Sequence, residues 1–196
     1  AYRHGNHLPV LERYGNLASD AMNSWREQRG IFIEPANSRR NKLRLMIISG
    51  HIRQHSVYDV ILHGWLNGVD RSRFEIALIY TGEIVDATTK MARHLVDHFV
   101  QGIRSTEEWI AVISAWCPNT IFYPEIGMDS ATARLAMLRL ADLQIASWGH
   151  PVTTGLKTID LFVSAARLEP SDAAKHYSET LVLLPGIGVN PIVRPT

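Results

Sequence analysis

The stretch Leu43–Ser56, LRLMIISGHIRQHS, constrains the possible folds of this chain more than any other. Its first part, Leu43–Ile48, is almost wholly apolar, which is the pattern of a parallel strand buried between two layers of helices. A polar loop with His51 and His55 follows, and Ser56 begins a helical pattern. Because ligands in open α/β sheets bind beyond the carboxyl ends of the strands, this loop is the first candidate for a functional site.

Strand and helix patterns alternate from here on, which predicts an α/β fold with a doubly wound, mostly parallel Rossmann-like sheet. The predicted strands are Leu43–Ile48, Phe74–Tyr80, His98–Gln101, Thr120–Tyr123, Gln144–Ser147, Ile159–Val163 and Leu181–Leu184. The predicted helices are Ser56–Val69, Ile84–Val96, one begun by a Ser105–Glu108 capping box, Ser130–Leu140 with Asp129 as its cap, and a short one from Ser171 to Tyr177.

A helical segment precedes the predicted sheet. Apolar residues at helical spacing predict an amphipathic helix over Pro9–Arg26, with an apolar face formed by Val10, Tyr14, Leu17, Ala21 and Trp25. A linker, Gly30–Asn41, follows because proline, asparagine and basic residues interrupt the period. We therefore divide the chain into a helical segment with its linker, residues 1–41, and a Rossmann-like domain, residues 42–196.

Composition excludes several classes of function. A net charge of +1 over 196 residues is not typical of a nucleic-acid binder, and no apolar run is long enough to span a membrane. Cys117 is the only cysteine, so the chain has neither a disulfide framework nor a cysteine metal cage, which favours a cytoplasmic location. The sequence begins at Ala1 within a pattern and stops at Pro191–Thr196 without a further helix or strand, so we expect the chain to be a piece of a longer protein.

The absence of several motifs argues against further classes of function. The sequence contains no P-loop, no G-x-G-x-x-G after the first strand and no G-x-S-x-G elbow, which disfavours nucleotide hydrolysis, dinucleotide binding and serine hydrolysis. The pairs His51–His55 and His94–His98 have the spacing of metal ligands, but neither forms an H-E-x-x-H motif. We therefore expect no metal site.

His55 is the first candidate for chemistry. It directly precedes the predicted helix start at Ser56, where backbone N–H groups and the helix dipole attract anions such as a diphosphate. The same field disfavours a protonated imidazole, so a neutral ring able to accept or donate one proton is expected. The alternative is a histidine that only caps the helix or packs in the loop.

The second candidate is the loop in Ser147–Gly155, SWGHPVTTG, which leaves a predicted strand at the same edge of the sheet. Gly149 permits close approach of a ligand to the backbone, and Pro151 makes the loop rigid. Thr153 and Thr154 offer hydroxyl groups. An ordinary strand exit with turn residues is the alternative interpretation.

These motifs together resemble a known family. The run Ile121–Leu184, with IFYPEIGMD, LRLADLQIASWGHPVTTG and TIDLFVSAARLEPSDAAKHYSETLVLLP, resembles the catalytic region of the O-GlcNAc transferases and the related bacterial protein glucosyltransferases. Upstream, LRLMIISGHIRQHS resembles the opening strand and histidine loop of that region, and LERYGNLASDAM resembles the helix before it.

The resemblance implies the N-terminal half of a GT-B glycosyltransferase, an inverting, metal-independent enzyme without a cofactor. Its donor would be UDP-glucose or UDP-GlcNAc, and its acceptor an Asn, Ser or Thr side chain of a protein or peptide. His55 falls on the family's active-site histidine. The donor loop of the family falls on Gly149, His150, Pro151, Thr153 and Thr154.

The resemblance also implies a missing part and some departures. The remaining C-terminal GT-B half supplies lysine and aspartate contacts to UDP, so this chain alone is expected to be inactive. The loop GHIRQHS replaces the acidic S-D-x-x-x-H form, and Asp59 stands where many relatives carry a second histidine. Two alternatives stay open: a GT-B transferase acting on lipid or polysaccharide, and a non-catalytic α/β domain that binds a protein partner.

Overall fold

A computed structural model of the chain describes residues 5–33 and 41–190. Its strands are β1 Leu43–Ser49, β2 Phe74–Tyr80, β3 His98–Gln101, β4 Thr120–Tyr123, β5 Leu143–Ser147, β6 Leu161–Ala165 and β7 Thr180–Leu184. They form one seven-stranded sheet in the order β3-β2-β1-β4-β5-β6-β7, and every neighbouring pair is parallel. The predicted doubly wound parallel sheet is confirmed.

The helices are α1 Leu8–Gln28, α2 His63–Gly68, α3 Ala87–His94, α4 Thr106–Trp116 and α5 Ser130–Ala136. A π-helical turn, Val57–Leu62, runs directly into α2, and a 3-10 turn covers Ala173–His176. One core lies on each face of the sheet, because alternate β1 residues such as Met46 and Leu45 pack into different apolar clusters. Residues 34–40 of the predicted linker lie outside the described part.

Two of the predicted helix caps are confirmed. Ser105 accepts a hydrogen bond from the Glu108 N–H at 3.2 Å, and the Glu108 carboxylate accepts one from the Ser105 N–H at 2.7 Å. Asp129 accepts hydrogen bonds from the N–H groups of Ala131 and Thr132. These caps satisfy backbone donors that a helix start leaves without partners.

Two predicted element starts are wrong. β6 begins at Leu161 rather than Ile159, because the Ile159 N–H bonds to the Leu156 carbonyl at 3.1 Å in a turn that nevertheless buries the Ile159 side chain. α3 begins at Ala87 rather than Ile84, because Asp86 and Thr89 form a capping box there. Ile159 and Ile84 are thus apolar residues that precede β6 and α3 without being part of them.

Two predicted helix details at the later elements are also wrong. α5 ends at Ala136 rather than Leu140, because the buried Gln144 amide bonds to the Leu140 N–H at 2.7 Å and to the Leu138 carbonyl at 3.1 Å. The short segment near Tyr177 is a 3-10 turn that follows Asp172 and has no side-chain cap, so Ser171 does not cap it.

The helix α1 confirms the predicted N-terminal helix, and Trp25 of the predicted apolar face packs against the core, but most of that face is exposed. Val10, Tyr14 and Leu17, all predicted to be inward, are 71%, 58% and 66% exposed. Gly15 and Ser19 are buried instead, and the backbone of Gly15 lies against that of Gly155. The small residues face inward because only they allow this close approach.

None of the helices in residues 5–33 and 41–190 combines the length and the apolar character required to cross a bilayer.

Candidate functional site

The candidate site lies where the strand order reverses, between β1 and β4. In a doubly wound sheet the connections on the two sides of this point leave in opposite directions, which opens a crevice at the carboxyl ends of the strands. The histidine loop follows β1 at Ser49, and residues 124–129, which we call the β4 exit loop, follow β4.

A buried carboxyl group joins these two loops. Glu125 has no exposed surface, and its Oε1 accepts hydrogen bonds from the Ser49 hydroxyl at 2.7 Å and the Gly50 N–H at 2.9 Å. The His51 N–H in turn donates to Ser49 Oγ at 3.0 Å. Burial raises the pKa of Glu125 to about 8, although the bonds from Ser49 and Gly50 favour its charged form. At neutral pH the Glu125 carboxyl is therefore mostly protonated and uncharged.

Sequence reasoning missed Glu125 as a functional or structural residue. The sequence did contain an indication, since Glu125 is an acidic residue only two positions after the buried strand Thr120–Tyr123. It therefore lies at the same edge of the sheet as the loop in which His55 was predicted.

His55 lies at the start of the π-helical turn and caps it. Its carbonyl accepts a hydrogen bond from the Asp59 N–H at 2.9 Å, and its ring Nδ1 accepts one from the Val57 N–H at 3.2 Å. Ser56, predicted as the cap, makes no side-chain capping bond. In a neutral ring whose Nδ1 accepts a hydrogen bond, Nε2 carries the proton and can act as a donor.

The ring of His51 stacks on that of His55. Their centroids are 4.2 Å apart and their planes differ by 14°. Partial burial lowers the pKa of both rings, and the charge of Arg53 lowers both further. Two neutral imidazoles are therefore expected at neutral pH. Both ring nitrogens of His51 are shielded from solvent and have no hydrogen-bond partner among the described residues.

The loop after β5 meets the β4 exit loop from the other side. The Gly149 N–H donates to the Pro124 carbonyl at 3.0 Å, and a Cβ on Gly149 would lie 2.5 Å from that oxygen. The ring of His150 lies near Gly127, 3.8 Å from the position that a Cβ there would take. Burial lowers the pKa of His150. Gly149 thus permits a close approach of two loops.

Thr153 and Thr154 turn inward. The Thr153 hydroxyl donates to Glu179 Oε2 at 2.6 Å, the Thr154 N–H donates to Glu179 Oε1 at 2.8 Å, and the Thr154 hydroxyl also bonds to Oε1. Glu179 is buried and was not singled out from the sequence. These hydroxyls hold the loop to the segment before β7, and their role toward a donor stays a prediction.

A cavity of about 500 Å³ opens beside this loop. Pro151 and Thr153 contribute to its wall together with Trp148, Glu169 and Tyr177, whereas His55 does not. The Tyr177 hydroxyl donates to Glu169 Oε1 at 2.7 Å, and burial together with this carboxylate raises the pKa of Tyr177. The predicted site residues therefore lie on two sides of the β4 exit loop.

Metal-binding groups are not clustered in the part of the chain that the structure describes: no three His, Cys, Asp or Glu side chains there could hold one ion. The groups at the crevice include imidazoles, hydroxyls and backbone N–H groups, whereas the Glu125 carboxyl is buried and joins the two loops from inside. Such groups can position a polar substrate and stabilise an anion by hydrogen bonds.

The fold defines a class: a doubly wound, Rossmann-like α/β domain with its candidate site at the switch point. The solved structures to which it is similar include a mutant O-GlcNAc transferase of Thermobaculum terrenum, with a TM-score of 0.65 and 22% sequence identity. The match covers 76% of this chain and 29% of that chain. No protein-family model and no curated protein matches the chain. The likeness shows that this chain shares its fold with part of that O-GlcNAc transferase.

Proposed function

We propose that this chain is the N-terminal half of the catalytic region of a cytoplasmic protein glycosyltransferase. The complete enzyme would move glucose or GlcNAc from a UDP-sugar to an Asn, Ser or Thr side chain, with inversion and without a metal. The observation that carries this proposal is that two loops contact the β4 exit loop: the loop that leads from Ser49 to His55, and the loop with Gly149 and His150. Both belong to a sheet that shares its fold with an O-GlcNAc transferase.

We infer that His55 positions a substrate oxygen by donating a hydrogen bond. Its Nδ1 already accepts from Val57, so the neutral ring offers an Nε2–H group rather than a free lone pair. A general base needs that lone pair. An N–H group can hold the acceptor oxygen in line or stabilise the departing diphosphate, and both effects lower the barrier to transfer.

The test uses the full-length enzyme with UDP-sugars and candidate peptides, and mass spectrometry measures the transfer. We expect His55→Ala to lower kcat/KM by about 10²-fold, the effect of removing one hydrogen-bond donor to a developing charge. His55→Gln keeps an N–H donor and should recover part of this loss. His94→Gln, a change of an exposed histidine at the end of α3, is the matched control.

Three results would count against this assignment. Absence of transfer by the wild type with every sugar and peptide would refute the proposed activity. Full activity of His55→Ala would remove the residue from the mechanism. Equal losses in His55→Ala and His55→Gln, with a pH profile that follows one ionisation, would indicate a base instead of a donor.

A further prediction concerns UDP. Because the resemblance assigns the lysine and aspartate contacts to the other half of the enzyme, we expect this chain to show no tight binding in a calorimetric titration with UDP. Its thermal unfolding transition, recorded on the same sample, controls for loss of structure. A dissociation constant in the low micromolar range would contradict the two-half arrangement.

A further inference from the structure

A second pocket, separate from the cavity beside the Gly149 loop, lies at the switch point, since its wall has residues that follow β1, β2 and β4. It has a volume of about 260 Å³ and lies at the carboxyl ends of β1 and β2, against the starts of α4 and α5. We call it the arginine pocket. Its wall includes Gly50, Thr81, Arg104, Trp109, Asp129 and Arg134.

Two arginines line this pocket, and the guanidinium group of each contacts one neighbouring side chain. Arg134 Nε donates to the Thr106 hydroxyl at 3.1 Å, and the guanidinium carbon of Arg104 lies 5.3 Å from the centre of the Trp109 ring. Neither group forms an ion pair with a carboxylate within residues 5–33 and 41–190. Both therefore keep N–H donors for a ligand.

The two nearby carboxylates are occupied by helix caps. Asp129, which also lines the pocket, accepts from the N–H groups of Ala131 and Thr132 and from the Thr132 hydroxyl. Glu108 accepts from the Ser105 N–H at 2.7 Å. Both carboxylates keep their charge in these caps, and Glu108 acts on Arg104 electrostatically. Of the two, only Asp129 lines the pocket, where it is accompanied by both arginines.

We propose that the arginine pocket binds the carboxylate of an Asp or Glu side chain in the acceptor polypeptide, a proposal that rests on the protein glycosyltransferase function above. The planar guanidinium groups match a carboxylate by paired hydrogen bonds. Ile103, which is 69% exposed, lines the same pocket and can contact the methylene stem of such a side chain. Asp129 disfavours a doubly charged phosphate more than a singly charged carboxylate.

The test titrates this chain, at low ionic strength, with N-acetyl-glutamate N-methylamide and with the isosteric glutamine compound. NMR spectra of the arginine Nε–Hε groups report the binding. We expect saturable shifts at Arg104 and Arg134 with the glutamate compound only. Arg104→Gln and Arg134→Gln should each weaken binding about tenfold, the effect of losing one charge-assisted hydrogen bond. Arg13→Gln, on α1, is the matched control and should leave binding unchanged.

Equal shifts with the glutamine compound, or shifts that do not saturate, would overturn the proposal. So would tighter binding of inorganic phosphate than of the glutamate compound, because it would indicate a phosphate site.

A second arm separates this proposal from the proposed function. In the full-length enzyme, peptides with glutamate beside the modified residue should have a higher kcat/KM than their glutamine counterparts, and the arginine variants should lose that preference. Carboxylate binding without any transfer would refute the glycosyltransferase and with it the role in acceptor choice. Transfer without carboxylate binding would refute only the arginine pocket.

Discussion

Replacing Gly15 by alanine should destabilise the protein, although alanine is the better helix former. A Cβ at position 15 would lie against the Gly155 carbonyl oxygen and 2.6 Å from its carbon. The contact joins two backbones, so no flexible side chain can move away. Alanine gains about 1 kcal/mol of helix propensity. The clash costs about 3 kcal/mol or more, so the net loss of unfolding free energy is about 2 kcal/mol or more.

Urea denaturation of the two proteins measures this difference. Gly68→Ala is the matched control, because Gly68 also lies in a helix and a Cβ there would meet nothing within 4 Å. We expect this control to be neutral or slightly stabilising. If Gly15→Ala were as stable as the wild type, α1 would not pack on Gly155 as described.

The stability of the wild type relative to Glu125→Gln should fall as the pH rises. The glutamine amide has nearly the shape of a protonated carboxyl, and its oxygen can accept the same hydrogen bonds from Ser49 and Gly50. The pKa of Glu125 is raised from 4.5 to about 8 in the fold, so the native state retains a proton that the unfolded chain releases. This stabilising contribution is complete below pH 4.5 and is lost as the pH rises to about 8.

Chemical denaturation at pH 5 and pH 8.5 measures the effect. The two proteins should have similar unfolding free energies at pH 5. At pH 8.5 the variant should be the more stable one, by up to about 5 kcal/mol. Glu12→Gln, which removes an exposed carboxylate on α1, controls for the loss of one negative charge. A constant difference between wild type and variant at both pH values would show that Glu125 is not a buried neutral acid.

Local patterns were enough to predict most of the fold. Strand β2 was predicted with its observed bounds, Phe74–Tyr80, because a strand buried on both faces needs a largely apolar sequence, and only Glu75 near its start is charged. The caps Ser105 and Asp129 were predicted because each side chain bonds to backbone groups two or three residues away. Such interactions join residues that are close in the chain, so they can be predicted from a short stretch of sequence.

Pairings between distant residues were not predicted. Glu179 accepts hydrogen bonds from Thr153, 26 positions earlier in the chain, and from Thr154, 25 positions earlier. Glu125 accepts one from Ser49 across 76 positions. Nothing near either acid in the chain indicates its partners. The threonines were expected to offer free hydroxyls to a donor, whereas the fold brings a buried carboxylate to them.

Sequence alone thus determined the parallel sheet, the location of His55 in the loop after β1 and the likeness in fold to an O-GlcNAc transferase. Apolar period and motif order are properties of the chain. Only the tertiary structure decided which face of α1 is buried and that His55 Nδ1 accepts from Val57 while its ring stacks on His51. The reason is that burial and hydrogen bonding depend on which surfaces meet, and at Gly15 and Gly155 two backbones meet where apolar spacing predicted large side chains.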